Sequence, residues 1–309
     1  MLLTGASGFI GAHALDALLE QGHEVHALAR RRGPLHTGVT WHELDLLRPG
    51  AAERLLDRAQ PEQLLHLAWY ATPGAFWSAP ENERWIDASL RLLRAFGEAG
   101  GERVVVAGTC AEYAWGDPML SEQTTPLTPA TLYGACKHAT NVAAAAVAAQ
   151  LDVSFAWGRV FFLYGPGEAP GRLVSSVARG LLAGEEVPTS SGDQRRDFMH
   201  VRDVAGALVA LLATEVTGAV NIASGVPVSV RHVVELVADA AGGRERVRFG
   251  ELPTRPSEPP VIAGNPTRLR EEVGFAPAVT LERGIAETVA WWRNALEAGA
   301  TSGGAQHGR

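Results

Sequence analysis

Short apolar runs alternate with longer amphipathic stretches through the first half of the chain. The apolar runs predict strands at Met1–Thr4, Glu24–Ala29, Thr40–Leu44, Gln63–Leu67, Arg103–Gly108 and Val153–Val160. The amphipathic stretches predict helices at Phe9–Gln21, Pro49–Ala59, Asn82–Ala99 and Leu132–Gln150. Regular alternation of this kind predicts an α/β fold in which helices cover both faces of a doubly wound parallel sheet. The uninterrupted apolar run Val104–Val106 is typical of a strand buried on both faces.

Beyond residue 165 the pattern changes to helices separated by short strands. Helical spacing predicts Leu173–Ala183, Val201–Leu212, Val230–Ala241 and Leu281–Leu296, with a strand at Ala219–Ile222. We therefore expect a dinucleotide-binding domain over residues 1–165 and a smaller C-terminal α/β substrate-binding region over residues 166–298. The Gly/Ala/Ser-rich tail over residues 299–309 is expected to be disordered.

Composition narrows the class of protein. Of the 309 residues, 46% are hydrophobic and 20% are charged, which is ordinary for a globular protein. The formal net charge of -7 argues against a nucleic-acid-binding surface. No apolar window reaches the ~18 residues of a membrane span, and no signal peptide is apparent. With only two cysteines, Cys110 and Cys136, we expect no disulfide framework and a cytoplasmic location.

A glycine-rich segment, Gly5-Ala6-Ser7-Gly8-Phe9-Ile10-Gly11, joins the first predicted strand to the first predicted helix. Gly5 permits a tight turn, Gly8 lets the backbone approach a pyrophosphate, and Gly11 lets the helix lie close to the strand. Ser7, Phe9 and Ile10 bring the N–H groups of the helix start to the same anion. The spacing is GxxGxxG rather than GxGxxG, and a turn without a ligand is the alternative. Its place at the start of a βαβ unit favours a Rossmann-type dinucleotide site.

The end of the second strand indicates which cofactor binds. An acidic residue there would bond the ribose 2′-hydroxyl of NAD, whereas an arginine suits the 2′-phosphate of NADP. This position holds Ala29, followed by Arg30, Arg31 and Arg32. We therefore expect NADP(H) to be preferred, with NAD(H) possible and a merely solvated basic loop as the alternative.

Tyr133 and Lys137 are the candidate catalytic pair, because residues four apart share one face of a helix. A lysine cation lowers the pKa of a nearby phenol, which suits the phenol to acid–base work. Lys137 would also hold the nicotinamide ribose. Thr109 ends a buried strand at the edge where open α/β sheets bind ligands, so its hydroxyl could bond the same carbonyl oxygen. The alternatives are an ordinary helix start and a capping threonine.

Together these motifs resemble the extended short-chain dehydrogenase/reductase family, also called the NAD-dependent epimerase/dehydratase family. The resemblance implies that Asp45 and Leu46 contact adenine and that the His66-Leu67-Ala68 segment lines the cofactor. The segment from Arg196 to Ala205 is similar to a motif of the nucleotide-sugar branch, in which the arginine meets the substrate diphosphate. Substrate-binding candidates are accordingly Thr109, Arg172, Arg196 and, more weakly, Arg255. An ion pair of Arg196 with Asp197 or Asp203 is the alternative.

Departures from the family patterns narrow the reaction. Cys110 and Ala111 follow Thr109 where the sugar dehydratases carry Asp-Glu, and neither side chain can eliminate water. Glu112 is one residue out of register and, on a strand, would face the other way. Phe162 stands where many relatives carry a substrate-contacting asparagine. The stretches Gly108–Tyr113 and Phe161–Gly165 resemble the NDP-4-keto-6-deoxyhexose 4-ketoreductases, such as CDP-abequose synthase. This resemblance implies NADPH-dependent reduction of a nucleotide-linked ketosugar.

Two other functions stay open: a 4-epimerase that retains NAD, and a catalytically idle Rossmann protein used for binding. The histidines show no metal-ligand spacing, so no metal is expected. Trp69, Trp77 and Trp85 could either wall a sugar pocket or pack in the core. Alanine-rich Leu132–Gln150 is expected to build a homodimer, as this helix does in the family, with packing inside one chain as the alternative.

Overall fold

A computed structural model describes residues 1–31, 33, 36–253 and 258–304, with side chains through residue 298. The strands in chain order are β1 (Leu2–Thr4), β2 (Val25–Ala29), β3 (Val39–Glu43), β4 (Gln63–His66), β5 (Arg103–Thr109), β6 (Ser154–Val160), β7 (Phe162–Tyr164), β8 (Val187–Thr189), β9 (Arg195–His200), β10 (Gly218–Ile222), β11 (Pro227–Ser229), β12 (Val247–Phe249) and β13 (Val261–Ile262). The helices are α1 (Phe9–Glu20), α2 (Ala51–Ala59), α3 (Glu81–Glu98), α4 (Leu132–Gln150), α5 (Leu173–Leu182), α6 (Val201–Leu212), α7 (Val230–Ala241), α8 (Thr267–Glu271) and α9 (Leu281–Gly304).

The central sheet is parallel throughout and runs in the order β3-β2-β1-β4-β5-β6-β10. Successive strands proceed outward from β1 in one direction and from β4 in the other. The crevice at such a reversal, at the carboxyl ends of the strands, is where open α/β sheets bind ligands. The predicted doubly wound parallel sheet is confirmed.

Side chains alternate between the two faces of this sheet, as the pleat requires. Val105 on β5 joins the apolar cluster under α1 and α6, whereas Val104 and Val106 join the cluster under α2, α3 and α4. Strands buried on both faces explain why β5 reads as an unbroken apolar run. Most predicted boundaries before residue 165 lie within one residue of the observed ones. The start of α2 differs by two, at Ala51 rather than Pro49, because Gly50 has a left-handed φ of 71° and ends the preceding turn.

Residue 165 does not separate the two regions in space. β10 pairs with β6 as the last strand of the central sheet, and α6 packs against α1 on one face of that sheet. Both elements belong to the segment expected to form only the substrate-binding region. The periodicity located these elements correctly, but it carried no information about which sheet the late strand would join.

The rest of the second region is a smaller layer beside the sheet edge. β9 pairs with β7, β11 and β13, while β8 pairs with β12. Helices α5, α7 and α9 share a separate apolar core that includes Val177, Val234 and Ile285. The backbone of α9 continues to Gly304, so the first part of the segment expected to be disordered is helical, and residues 305–309 lie outside the described residues.

Two kinds of feature are absent from the described ranges. No helix there is long and apolar enough to cross a bilayer. The same ranges bring no three His, Cys, Asp or Glu side chains together in a way that could hold a metal ion.

Candidate active site

A cleft of about 1130 Å³ lies along the carboxyl edge of the central sheet, between the sheet and the second region. Of the predicted site residues in the described part of the chain, all but Arg31 line it: Gly5, Ser7, Gly8, Phe9, Ile10, Gly11, Arg30, Asp45, Leu46, Leu67, Ala68, Thr109, Tyr133, Lys137, Arg172 and Arg196. Arg255 lies outside the described residues. One cleft therefore brings together candidate groups that are spread over nearly 200 positions of sequence.

The glycine loop fits the pyrophosphate of a dinucleotide. Gly5 has a φ of 70°, and a Cβ on it would come within 2.9 Å of the backbone nitrogen of Ala68. A Cβ on Gly11 would lie 2.0 Å from the carbonyl oxygen of Gly5. Gly8 is the residue before α1 and has no side chain to cap it, so the first N–H groups of the helix are left for an anion.

The arginines that follow β2 differ in whether they line the cleft. Ala29 is buried, and Arg30, which follows it, is exposed and lines the cleft. Arg31 is also exposed but lies outside the cleft lining, and Arg32 is outside the described residues. Asp45 follows the neighbouring strand β3, and its carboxylate accepts a hydrogen bond from the backbone of Leu47 at 3.0 Å. Of the two described arginines after Ala29, Arg30 is therefore the one that lines the cleft.

Tyr133 lies in the first turn of α4, which Thr131 caps by accepting a hydrogen bond from Gly134 at 3.1 Å. Tyr133 is half-buried, and its phenol shares a hydrogen bond with Thr109. Burial raises the pKa of Tyr133, whereas the bond to Thr109 and the charge of Arg172 lower it. The Thr109 hydroxyl also accepts from the backbone of Ala111 at 3.2 Å, so it caps a turn and contacts the phenol at once.

Lys137 lies one turn further along α4, buried, with Nζ donating to the carbonyl oxygen of Ala107 at 2.8 Å. Burial lowers the pKa of Lys137 to about 7, and the charge of Glu112 opposes that effect. Arg172 is a cation that lowers the pKa of Tyr133, which is the contribution that the helix spacing predicted for Lys137. The guanidinium of Arg172 lies 5.1 Å from the ring centre of Phe76, which in turn contacts Tyr133.

Glu112 is committed to the core. It lies on a single 3-10 turn rather than on the strand-like stretch expected, and its side chain is fully buried. One carboxylate oxygen accepts from the backbone of Thr109 at 2.9 Å and from the indole of Trp157 at 2.8 Å. The other accepts from Arg159 at 3.0 Å. With both oxygens occupied, Glu112 has no free group for acid–base chemistry on a substrate.

Aromatic rings surround the phenol of Tyr133. Its ring centre lies 4.9 Å from that of Phe76 and 5.9 Å from that of Trp77, both edge to face. Trp115 stands 6.5 Å beyond Trp77. Sequence reasoning named Trp77 but missed Phe76 and Trp115. The signal was available, because both follow strands whose ends meet at the cleft.

Arg196 lies in the cleft wall on β9, almost fully buried. Its guanidinium donates to the carboxylate of Glu258 at 2.6 Å and lies 5.5 Å from the ring centre of Phe162. The alternative partners considered from the sequence are engaged elsewhere: Asp197 accepts from Ser224, and Asp203 accepts from the backbone of Val279. The pairing with Glu258 could not be read from the sequence, since 62 positions separate the two residues.

Glu168 was also missed. It is buried, lines the cleft, and accepts from the backbone of Ser175 at 3.0 Å in the first turn of α5. Burial raises the pKa of Glu168 to about 7. Nothing in the local sequence separates it from a surface glutamate.

The comparisons with known proteins agree with this geometry. The model of the NAD dependent epimerase/dehydratase family matches residues 1–223, a span that ends just after β10. The structure of MoeE5 in complex with UDP-glucuronic acid and NAD is 32% identical with a TM-score of 0.83, over 95% of this chain and 99% of that one. The UDP-glucose 4-epimerase of Thermus thermophilus in complex with NAD is 28% identical with a TM-score of 0.86, over 95% and 99%. The GDP-6-deoxy-D-mannose reductase of Pseudomonas aeruginosa is 27% identical over 95% of this chain and 97% of its own.

Proposed function

Because the chain belongs to the NAD dependent epimerase/dehydratase family, we propose that it reduces the keto group of a nucleotide-linked 4-keto-6-deoxy sugar with NADPH. The observation that carries this proposal is the half-buried phenol of Tyr133, which is hydrogen-bonded to Thr109 and surrounded by aromatic rings at the carboxyl edge of the sheet. Glu112, the carboxylate that follows Thr109 most closely in sequence, cannot eliminate water, because it is bound to Arg159.

Each group in the cleft has a distinct role in the proposed reduction. The Gly5–Gly11 loop would hold the pyrophosphate and Lys137 the ribose beside the nicotinamide. A nicotinamide bound there would supply the hydride. Tyr133 donates the proton of its hydroxyl to the carbonyl oxygen, and Thr109, bonded to the same phenol, orients that oxygen. Because burial keeps the pKa of Tyr133 high, the phenol is protonated at neutral pH, as a proton donor must be.

The lining around Tyr133 favours a sugar with few hydroxyls. Phe76, Trp77 and Trp115 offer rings, and the indole N–H of Trp115 already donates to the carbonyl oxygen of Cys110 at 3.2 Å. A hydroxyl buried against such a wall would lose its bonds to water without replacement, whereas a methyl group would gain contact. This argues for a deoxysugar over a fully hydroxylated hexose.

The direct test is incubation with NDP-4-keto-6-deoxyhexoses and NADPH across several nucleotides. We expect loss of NADPH absorbance together with a reduced sugar product. Absence of NADPH oxidation with every ketosugar would overturn the proposal.

The second candidate is a 4-epimerase, and the similarity to the Thermus thermophilus UDP-glucose 4-epimerase favours it. An epimerase needs Thr109, Tyr133 and Lys137 just as a reductase does. It would carry bound NAD when purified and interconvert C4 epimers without added cofactor. Release of the cofactor by denaturing the purified protein, followed by its identification, separates the two candidates before any substrate is known.

The cofactor preference is proposed to rest on Arg30. A guanidinium at the cleft can bond a 2′-phosphate, and no acidic side chain follows Ala29 to prefer a free 2′-hydroxyl. Arg30→Ser should raise the KM for NADPH about tenfold relative to NADH. Arg31→Ser, which changes the neighbouring arginine outside the cleft, is the matched control and should leave the ratio unchanged.

We further propose a homodimer formed through α4. Its outer face exposes a continuous small apolar stripe made of Ala135, Ala139, Val142, Ala146 and Ala149. Such a stripe allows close approach of the same helix from a second copy. Val142→Glu should convert the dimer to a monomer in sedimentation measurements, whereas Val226→Glu, at an equally exposed valine elsewhere, should not.

A further inference from the structure

Lys137 is the only lysine in the sequence, and the other strongly basic side chains are arginines. It is also buried, so its charge must be stabilised by the groups around it. Among the described residues no carboxylate forms an ion pair with it. The acid that acts on it, Glu112, is already held by Arg159. Glu112 therefore acts on Lys137 only from beyond ion-pair distance, and the groups in direct contact with Nζ are of another kind.

The face of an indole supplies part of that environment. Nζ of Lys137 lies 3.8 Å from the ring centre of Trp69 and 5.8 Å from that of Trp157, and it donates to the carbonyl oxygen of Ala107. The face of an aromatic ring carries negative potential, and tryptophan is the strongest of the three ring types. At 3.8 Å, Trp69 is the ring in close contact.

Trp69 is fixed in this orientation by hydrogen bonds. Its indole N–H donates to the side-chain oxygen of Asn82 at 2.8 Å. Asn82 is fully buried, and its amide nitrogen donates to the carbonyl oxygens of Phe76 at 2.7 Å and Ala79 at 2.9 Å. The ring also stacks on Trp85 with centres 6.0 Å apart. The indole is thus held at its edge and packed against Trp85, and the ammonium of Lys137 lies over its ring.

We propose that Trp69 is a positioning residue for Lys137, and that its indole face, locked by Asn82, keeps the buried ammonium charged and in place in the cleft. This inference rests on the proposed function only in giving Lys137 a task, because the contact itself belongs to the protein without substrate. A lysine that lost its proton could no longer donate from a charged group to a ribose oxygen.

Of the titratable groups named here as facing Lys137, Glu112 alone favours its charge, and it does so without an ion pair. Glu112 lies on the turn after β5, and its charge favours the ammonium. His66 on β4 stays neutral, because burial lowers its pKa to about 3. Tyr133 on the same helix stays protonated, because burial raises its pKa. Against these, burial lowers the pKa of Lys137 to about 7, so removing a favourable ring would deprotonate a large fraction at neutral pH.

A single lysine makes the test unusually direct. Protein grown with lysine isotope-labelled at Cε gives one labelled side-chain NMR signal, and its position against pH reports the pKa of Lys137. We expect Trp69→Leu to lower that pKa by about 1 and Trp69→Phe to lower it less, since a benzene face is weaker than an indole face. Trp85→Leu is the matched control, because it removes a ring from the same stack without touching the ammonium, and its titration should match the wild type.

The inference is overturned if the midpoint of Trp69→Leu equals that of the wild type, or if Trp85→Leu lowers it as much. Should Trp69→Leu fail to fold, Trp69→Phe decides alone, because it keeps a ring in the core. Ketosugar reduction measured in parallel separates this inference from the proposed function. A wild type that reduces no ketosugar, with a midpoint that falls in the variant, rejects the function and supports the inference. If the wild type reduces the ketosugar and the Lys137 midpoint of Trp69→Leu is unchanged, the inference alone is rejected. If that midpoint falls, the loss of activity at alkaline pH should also begin at a lower pH in the variant.

Discussion

The two walls of the cleft are built from different parts of the polypeptide. The part proposed to hold the cofactor, here the cofactor wall, is mostly backbone: the turn at Gly5, the start of α1 at Gly8 and the ends of β2 and β4. The part proposed to hold the substrate, here the substrate wall, is mostly side chain, with Phe76 and Trp77 from one loop and Arg196 from β9. Backbone groups take the same positions in any chain that forms the same turn, whereas a wall of side chains depends on the residues of one sequence. The contrast explains why a motif predicts the cofactor wall, whereas most side chains of the substrate wall, such as Phe76, follow from no motif.

The largest expected effect lies where the walls meet. Tyr133→Phe removes the proton donor but keeps the ring against Phe76 and Trp77. Turnover should fall by roughly 10²–10⁴-fold, the usual contribution of a positioned acid. Binding of the cofactor, measured by calorimetry, should be unchanged, because the backbone wall is untouched. Retained turnover would remove Tyr133 from the mechanism.

The backbone wall is broken by Gly11→Ala. Its Cβ would lie 2.0 Å from the carbonyl oxygen of Gly5, so the helix start must move away from the turn. We expect a loss of about 1–3 kcal/mol in the free energy of unfolding and a weaker affinity for the cofactor. Gly22→Ala is a useful control for cofactor affinity, because its φ of 81° strains an alanine and lowers stability while nothing lies within 4 Å of a Cβ there. Normal cofactor affinity in Gly11→Ala would contradict the proposal that the glycine loop holds the cofactor.

On the substrate wall, Arg196→Gln should raise the KM for the nucleotide sugar about tenfold while leaving the affinity for the cofactor unchanged. The reason is the loss of a charged donor facing a diphosphate. Arg195→Gln is the control, since Arg195 is adjacent in sequence but exposed. Equal KM values for the two variants would show that the guanidinium pairs only with Glu258.

The smallest expected effect is one of pH. The charge of Arg172 lowers the pKa of Tyr133, so Arg172→Gln should raise that pKa. Oxidation of the alcohol needs the phenolate as base, and its pH profile should therefore move to higher pH by less than about one unit. Reduction needs the protonated phenol and should hardly change at neutral pH. An unmoved oxidation profile would mean that Arg172 acts on the substrate alone, and Arg293→Gln, at an exposed position on α9, controls for the loss of a charge.

Hydrophobic periodicity was enough to predict the parallel sheet, because a strand such as Arg103–Gly108 is buried on both faces and shows it in its composition. The positions of Tyr133, Lys137 and Thr109 followed from helix spacing and strand ends, which are local properties. These are the parts of the molecule in which neighbours in sequence are neighbours in space.

What the sequence did not reveal depends on long-range contacts. The pairing of Arg196 with Glu258, the indole of Trp69 over Lys137, and the place of β10 beside β6 each join distant segments. The buried ion pair of Glu112 is another such contact, since its partner Arg159 lies 47 positions away. Hydrophobic periodicity does not predict such pairs, because each of these side chains, judged from its local sequence, could equally lie on the surface or in an ordinary core.

The late strand β10 has a consequence for how the protein is made. A nascent chain that has left the ribosome only as far as β6 carries an unpaired edge, and the hydrogen-bonding groups of Gly158 and Val160 wait for partners about 60 residues away. Synthesis must pass residue 222 before that edge is covered. A fragment ending near residue 165 should therefore aggregate, because only the chain as far as residue 222 covers the exposed edge of β6.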